Sequence, residues 1–185
     1  MPNKYYFLTI LVISQLLACG GGGGSETVQQ TSSAPVTGAP VYVAKLIPFA
    51  QNVNVTQAVR AECNLNGTLS DFVQSASRNY GTNVVGVDTV AGKKGRVLTM
   101  KITNVMGAGG GAWSGAKSVS VEGELSENGK VIGSFRGSRY SGGGVFGGFK
   151  GTCSILGRCV KALGSDIAGW LQSPVMNANL GDGYR

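Results

Sequence analysis

Histidine is missing from this 185-residue chain. Its absence excludes Ser-His and Cys-His nucleophile pairs, imidazole general acid-base work, and any zinc site other than an all-cysteine or carboxylate one. No C-x-x-C pair is present, so a redox-active dithiol is not expected. The 31 glycines come in blocks without a Gly-X-Y period, which excludes collagen. No DNA-binding motif occurs. No apolar run reaches the roughly twenty residues that a membrane-spanning helix needs. Once a leader and linker are set aside, about 150 residues remain, enough for one ordinary domain.

The amino terminus is the most explicit part of the chain. Lys4 precedes the apolar run Tyr5 to Ala18, which ends in Leu16-Leu17-Ala18-Cys19-Gly20. Leu-Leu-Ala-Cys resembles the lipobox of bacterial lipoproteins. That resemblance implies diacylglycerol on the Cys19 sulfur, cleavage before Cys19 and acylation of the new amino group. Gly20, where aspartate would favour inner-membrane retention, implies the outer membrane. Each buried methylene contributes about 0.8 kcal/mol, so two or three acyl chains hold a protein at a bilayer where one would not. Residues 1–18 are thus expected to be a signal peptide. Residues 19–40, rich in Gly, Ser, Thr and Pro, form a lipidated flexible tether with a root-mean-square reach of about 25 Å.

Residues 41–174 carry the pattern of one folded domain. Val41 to Ile47 is β-branched and halts at Pro48, as an edge or first strand would. Val55, Val59 and Ala61 suggest a second short strand near Cys63. Leu65, Leu69, Phe72, Val73, Ala76 and Tyr80 recur at helical spacing, with Asn66, Ser70, Gln74 and Ser77 on the other side. Val84 to Val90 is nearly continuous and reads as a central strand, and Leu98, Met100 and Ile102 alternate with Thr99, Lys101 and Thr103. Val119, Val121 and Leu125 alternate with Glu122 and Glu124, and Val131 to Arg139 follows Asn128-Gly129. A three-residue loop there would pair Leu125 with Val131 and Val121 with Phe135, keeping one face apolar, whereas a two-residue loop would set Val121 opposite Arg136. From 154 to 172, Leu156, Val160, Leu163, Ile167 and Leu171 form a helical stripe. Gly157 and Gly164 border it, where the helix would approach the sheet closely. Residues 175–185 read as a loose tail. The expected fold is α+β, a two-layer sandwich of a 4–5 stranded, mostly antiparallel sheet with two helices on one face.

With its lipobox, the Asn128 to Phe135 segment between two strands and the closing helix, the chain resembles small α/β domains of envelope lipoproteins of the YajG-like and transporter-auxiliary types. The resemblance implies an envelope role and brings no catalytic residue with it.

With Cys19 acylated, one internal disulfide is possible among Cys63, Cys153 and Cys159. Cys153 and Cys159 within one helix would lie about 9 Å apart along its axis, too far to bridge, and Cys159 sits beside the apolar stripe. This favours Cys63 with Cys153, each just before a helix. Three reduced thiols or a Cys63 to Cys159 bridge remain open. Gly142 to Gly147 matches G-x-G-x-x-G, but glycine blocks generate that pattern freely and the strands before it read as a hairpin. The two P-loop spacings have Phe149 and Ala116 in place of lysine. Ser114-Gly115-Ala116-Lys117 is S-x-x-K without its companion motifs.

No cofactor or metal site is indicated. The charge of +7 falls to about +6 when Lys4 leaves with the leader, which favours anionic neighbours such as phospholipid headgroups or other polyanions. Trp113, Tyr140, Phe146 and Phe149 lie in or beside glycine-rich loops with Lys117, Arg136, Arg139 and Lys150 nearby, a candidate partner-contact surface. The leading expectation is a non-catalytic outer-membrane lipoprotein whose periplasmic domain binds another envelope protein or an anionic polymer, and not nucleic acid. The alternative is a small periplasmic enzyme built on Ser114 with Lys117 or on Glu122 with Glu124. Metabolic labelling with palmitate should mark the wild-type chain and vanish in Cys19→Ser, which should also keep its leader; label that survives the substitution removes the anchor.

Overall fold

The computed structural model describes residues 38–107, 117–141 and 151–182. Along them run β1 (Val41–Ala44), α1 (Gln57–Glu62), α2 (Leu65–Asn79), β2 (Val84–Val87), β3 (Arg96–Met106), β4 (Lys117–Glu127), β5 (Lys130–Ser141), α3 (Thr152–Trp170) and β6 (Ala178–Gly181). The strands form one sheet in the order β2-β1-β3-β4-β5-β6. Strands β3, β4 and β5 are an antiparallel meander, while β1 runs parallel to both β2 and β3, and β6 parallel to β5. The architecture is the expected α+β sandwich, with six strands in place of four or five and one additional short helix.

Its core is a single cluster. Leu98, Ile102, Val119, Val121 and Leu125 from the sheet meet Leu65, Leu69 and Val73 of α2 and the whole expected stripe of α3, Leu156, Val160, Leu163, Ile167 and Leu171. Each fully buried aliphatic side chain of this kind contributes about 1.5–3 kcal/mol. Small residues set the depth of the packing. The Phe135 ring lies over Gly123, where an added Cβ would come within 2.5 Å of it. Trp170 meets that ring edge-on at 4.9 Å between centroids. Its indole also occupies the space above Gly133, and its N–H donates to the Val175 carbonyl at 3.3 Å.

The β4–β5 hairpin departs from the expected register. Asn128 and Gly129 both have positive φ, 51° and 86°, so the turn is the two-residue type I′ loop that Asn-Gly favours. Glu127 then pairs with Lys130 and Ser126 with Val131, but the next pair is Leu125 with Gly133. Ile132 is an extra residue, a β-bulge. It shifts β5 by one position, sets Val121 opposite Gly137 instead of Arg136, and keeps the apolar face in phase.

Four further expectations are corrected. The segment around Val55 to Ala61 is helical: Thr56 caps α1 by accepting the Val59 N–H at 3.3 Å, and of the α1 residues only Val59 is buried. The strands at 41–44 and 84–87 exchange the places expected of them, because β1 lies inside the sheet and β2 at its edge. Two parallel neighbours bury Val41 and Val43 completely, whereas Val85 is 37% exposed. The buried face of α2 includes Ser70 and Ser77, expected on the polar side. Ser70 is accommodated because its hydroxyl donates to the Ala44 carbonyl at 2.8 Å; beside it, the Gln74 carboxamide accepts the Gly86 N–H of β2 at 3.0 Å. Lastly, the expected tail from 175 holds β6, paired from Phe135↔Ala178 to Ser138↔Gly181.

The α3 glycines also behave differently from each other. A Cβ on Gly164 would stand 2.6 Å from Phe72 Cβ and 2.9 Å from its backbone, so the close approach is to α2 and not to the sheet, while Gly157 faces open space. Gly164→Ala should therefore destabilise the domain by about 1–3 kcal/mol, because rigid backbone must give way. Gly157→Ala should stabilise it by up to about 1 kcal/mol through helix propensity. Urea unfolding of the two variants checks the pair, and equal effects would contradict this packing.

Candidate functional site

The face of the meander turned away from the helices is built by strand alternation. Since Leu98, Ile102, Val121 and Leu125 point into the core, Thr99, Lys101, Glu122 and Glu124 point out. The bulge brings Ser134 and Arg136 to the same side. Register aligns these residues in two adjacent rows: Lys101, Glu122, Arg136 and Asn179, then Thr99, Glu124 and Ser134. Asn177 joins the second row by donating its backbone N–H to Ser134 Oγ at 2.9 Å. Pro48 forms a wall, because its carbonyl accepts the Ile102 N–H at 2.9 Å and carries the chain along β3 beyond the end of β1. Together these residues line a trough of about 740 Å³.

Charge in the trough is internally balanced. Glu122 Oε2 lies 3.2 Å from Lys101 Nζ and its Oε1 lies 3.6 Å from Arg136 Nε. Partly exposed pairs like these contribute about 0–1 kcal/mol each, so they fix orientation more than stability. Glu122 and Glu124 do share the open face, as expected, but both oxygens of Glu122 already face cations. The hydroxyl of Ser134 is held by Asn177, and Ser120 and Ser138 bond to each other at 3.0 Å. In the second row the Thr99 hydroxyl donates to the Glu124 backbone carbonyl at 3.3 Å. What the trough offers is a row of donors and acceptors on a rigid sheet, suited to binding a polar partner.

The other expected residues are dispersed. Cys63 and Cys153 form a disulfide with Cα atoms 4.8 Å apart, closing a separation of 90 residues and joining the end of α1 to the start of α3. On the chain-entropy model that closure contributes roughly 4–5 kcal/mol. Tyr140 is 60% exposed at the far end of β5, in one row with Met106 and Ser118. Cys19, Trp113, Ser114, Phe146, Phe149, Lys150 and the G-x-G-x-x-G segment lie outside the described residues.

Besides Arg136, two more of the expected surface cations are engaged in the structure. Lys117 is completely buried, its Nζ 3.5 Å from the Gly107 carbonyl, so it does not belong to an exposed basic patch. Arg139 donates to both oxygens of Asp166 at 2.7 Å and to Asp182 at 2.8 Å; hydrogen bonding to Asp166 drives its guanidinium pKa further up. The same Asp182 accepts the Tyr140 N–H at 3.3 Å, so this cluster ties α3, β5 and the end of β6 together.

Asn177 and Asn179 escaped sequence reasoning because a four-residue parallel edge strand has too little alternation to register. Pro48 was legible as a strand terminator but not as a wall.

No protein-family model matches the chain, and no curated protein matches it. Solved structures align with it at low identity. One, a crystal structure described as an uncharacterized protein, aligns with a TM-score of 0.51 and 16% identity over 74% of this chain and 94% of that one. The PelC dodecamer from Paraburkholderia phytofirmans aligns with a TM-score of 0.45 and 18% identity over 73% and 93%. A DUF330 protein from Xanthomonas campestris gives 0.49 and 13% over 74% and 85%.

Cys159 is the free thiol among the described residues. It is buried, with Sγ donating to the Lys117 carbonyl at 3.7 Å, and burial pushes the thiol pKa up. The folded state therefore keeps the proton longer than the unfolded chain does. Stability should be unaffected by this group below the ordinary thiol range and should fall as pH rises through and above it. Urea midpoints measured up the alkaline limb should show that loss in wild type and less of it in Cys159→Ala. Iodoacetamide should leave Cys159 unmodified until the chain unfolds; rapid labelling of native protein would contradict its burial.

Proposed function

We propose that this chain is a non-catalytic lipoprotein of the outer membrane, anchored through Cys19, whose periplasmic α+β domain binds another envelope component in the trough on its open sheet face. The observation that carries the reading is the trough itself. A six-stranded sheet covered by helices on one side leaves its other side bare, and there it presents aligned hydroxyl, carboxamide and charged groups on rigid strands. The Leu16 to Cys19 motif supports the anchor, and the tether from 19 to 40 lets the domain search the space beside the bilayer. Binding is preferred over hydrolysis because Glu122, one member of the expected carboxylate pair, is held between Lys101 and Arg136.

Photocrosslinking in the intact envelope tests the assignment. A benzophenone side chain at Thr99 or Asn179 should capture one defined envelope component, while the same probe at exposed Ser75 on α2 should not. Lys101→Glu should lower the trough yield roughly tenfold, since it sets a like charge beside Glu122 and changes what the trough presents. Equal capture from Thr99, Asn179 and Ser75 would overturn the site.

A further inference from the structure

The two ends of the sheet differ in what they expose, and one of them is where the chain arrives from its amino-terminal segment. Residues 38–41 lead into β1, and the register Val41↔Arg96↔Glu127↔Lys130 places the turn at 128–129 at that same end. The Asn128 N–H donates to the Gly95 carbonyl at 2.9 Å, which fixes the Lys93-Lys94-Gly95-Arg96 segment beside that turn. Lys94 and Lys130 are exposed and Arg96 is partly exposed. The ion pairs among the described residues engage Lys45, Lys101, Arg136 and Arg139 and leave Lys94, Arg96 and Lys130 out. In that row Glu127 is the only acidic residue.

Apolar side chains stand beside these cations. Val131 is 41%, Val175 55% and Met176 54% exposed. Val175 lies in the half of the sheet nearer this end, because its carbonyl accepts the N–H of Ser134, the fifth residue of β5, at 3.1 Å and the Trp170 indole N–H at 3.3 Å. Cations outside any ion pair among the described residues, with exposed aliphatic groups in the same half of the sheet, are what an anionic lipid surface binds: the cations meet the headgroups, at roughly 1 kcal/mol per residue near the surface, and the aliphatic groups enter the boundary beneath them.

The position of the chain's arrival makes the contact productive. A meander strand of eleven residues is about 36 Å long, longer than the roughly 25 Å reach of a twenty-residue tether. A tether that joined the far end would have to run back along the domain. Joining at this end, it holds the basic and apolar patch within reach of the bilayer at high effective concentration.

We infer that the sheet end carrying Lys94, Arg96, Lys130, Val131, Val175 and Met176 docks on a phospholipid bilayer containing anionic headgroups, so that the domain stands on the membrane with Tyr140 pointing away. This rests on the proposed anchoring of Cys19 for its tethered form.

The lipidated full-length protein reconstituted in vesicles provides the test. The disulfide, the buried Cys159 and the acylated Cys19 leave an introduced thiol as the reactive one, so Val175→Cys and Tyr140→Cys can each carry an environment-sensitive nitrobenzoxadiazole label. Vesicles are phosphatidylcholine alone or with about 30% phosphatidylglycerol, an anionic headgroup. With phosphatidylglycerol the label at 175 should shift to the blue and be quenched by lipid-borne nitroxide, and the label at 140 should do neither. About 0.5 M salt, which shortens the Debye length to a few ångströms, should reverse the shift. The triple variant Lys94→Glu, Arg96→Glu, Lys130→Glu should reduce the docked fraction at least about tenfold while still floating with the vesicles.

Flotation with a water-exposed label at 175 overturns docking and leaves the anchor standing. A blue shift with phosphatidylglycerol, but no flotation with phosphatidylcholine alone, supports docking and removes the anchor. Failure to float with either vesicle removes both. A label at 175 already dry in detergent, without vesicles, means that another protein surface covers the patch, which also overturns the proposal.

Discussion

The insertion of Ile132 in β5 keeps the two faces of the sheet distinct. Without that bulge the type I′ turn at Asn128-Gly129 would carry β5 onward one residue out of phase, setting Arg136 against the core and Phe135 against water. With it, Phe135 fills the space above Gly123 and supports Trp170, while Arg136 reaches Glu122 on the opposite side. The packing of α3 and the assembly of the trough are thus two results of one local irregularity. Turn chemistry and hydrophobic phase make conflicting demands here, and a single extra residue satisfies both.

A second constraint closes the carboxyl-terminal part of the domain. Four residues in a parallel edge strand hold weakly by themselves, yet β6 carries Asn179 into the trough. Its position is secured from both ends: Ser134 binds the Asn177 N–H before it, and Arg139 binds Asp182 after it, with Asp166 orienting the same guanidinium. Polar groups that look like surface charge in one dimension therefore become fastenings in three. The disulfide performs the corresponding task on the other side of the domain, where α1 has little apolar surface of its own.

Much of this was legible in the sequence, and unevenly so. The stripe of α3 and the alternation of β3 and β4 could be read directly, because long elements repeat their period several times. The favoured cysteine pairing followed from the span between Cys153 and Cys159 on one helix, although Cys153 lies inside the first turn of α3 and not before it. The α2 boundaries were visible, but not its rotation, since Ser70 looks polar until its partner, the Ala44 carbonyl, is known. Short elements failed for want of length: α1 resembled a strand, β6 a tail, and the edge strand β2 a central one. The hairpin register was argued from the right principle, an unbroken apolar face, but a longer loop was taken as the means. Of the trough, the outward position of Glu122 and Glu124 could be foreseen. Its two flanks could not, because Pro48 stands on the β3 side and Asn177 and Asn179 on the β6 side, brought there from opposite ends of the chain.

The Gln74 carboxamide that takes the Gly86 N–H has an effect beyond its own bond. In a parallel sheet the Val41 and Lys45 amides donate to Asn83 and Val87, so the Gly86 amide is directed outward, to the place where a further strand would attach. A side chain already stands there. The β2 rim of this sheet is thereby stoppered against the addition of a strand from another molecule.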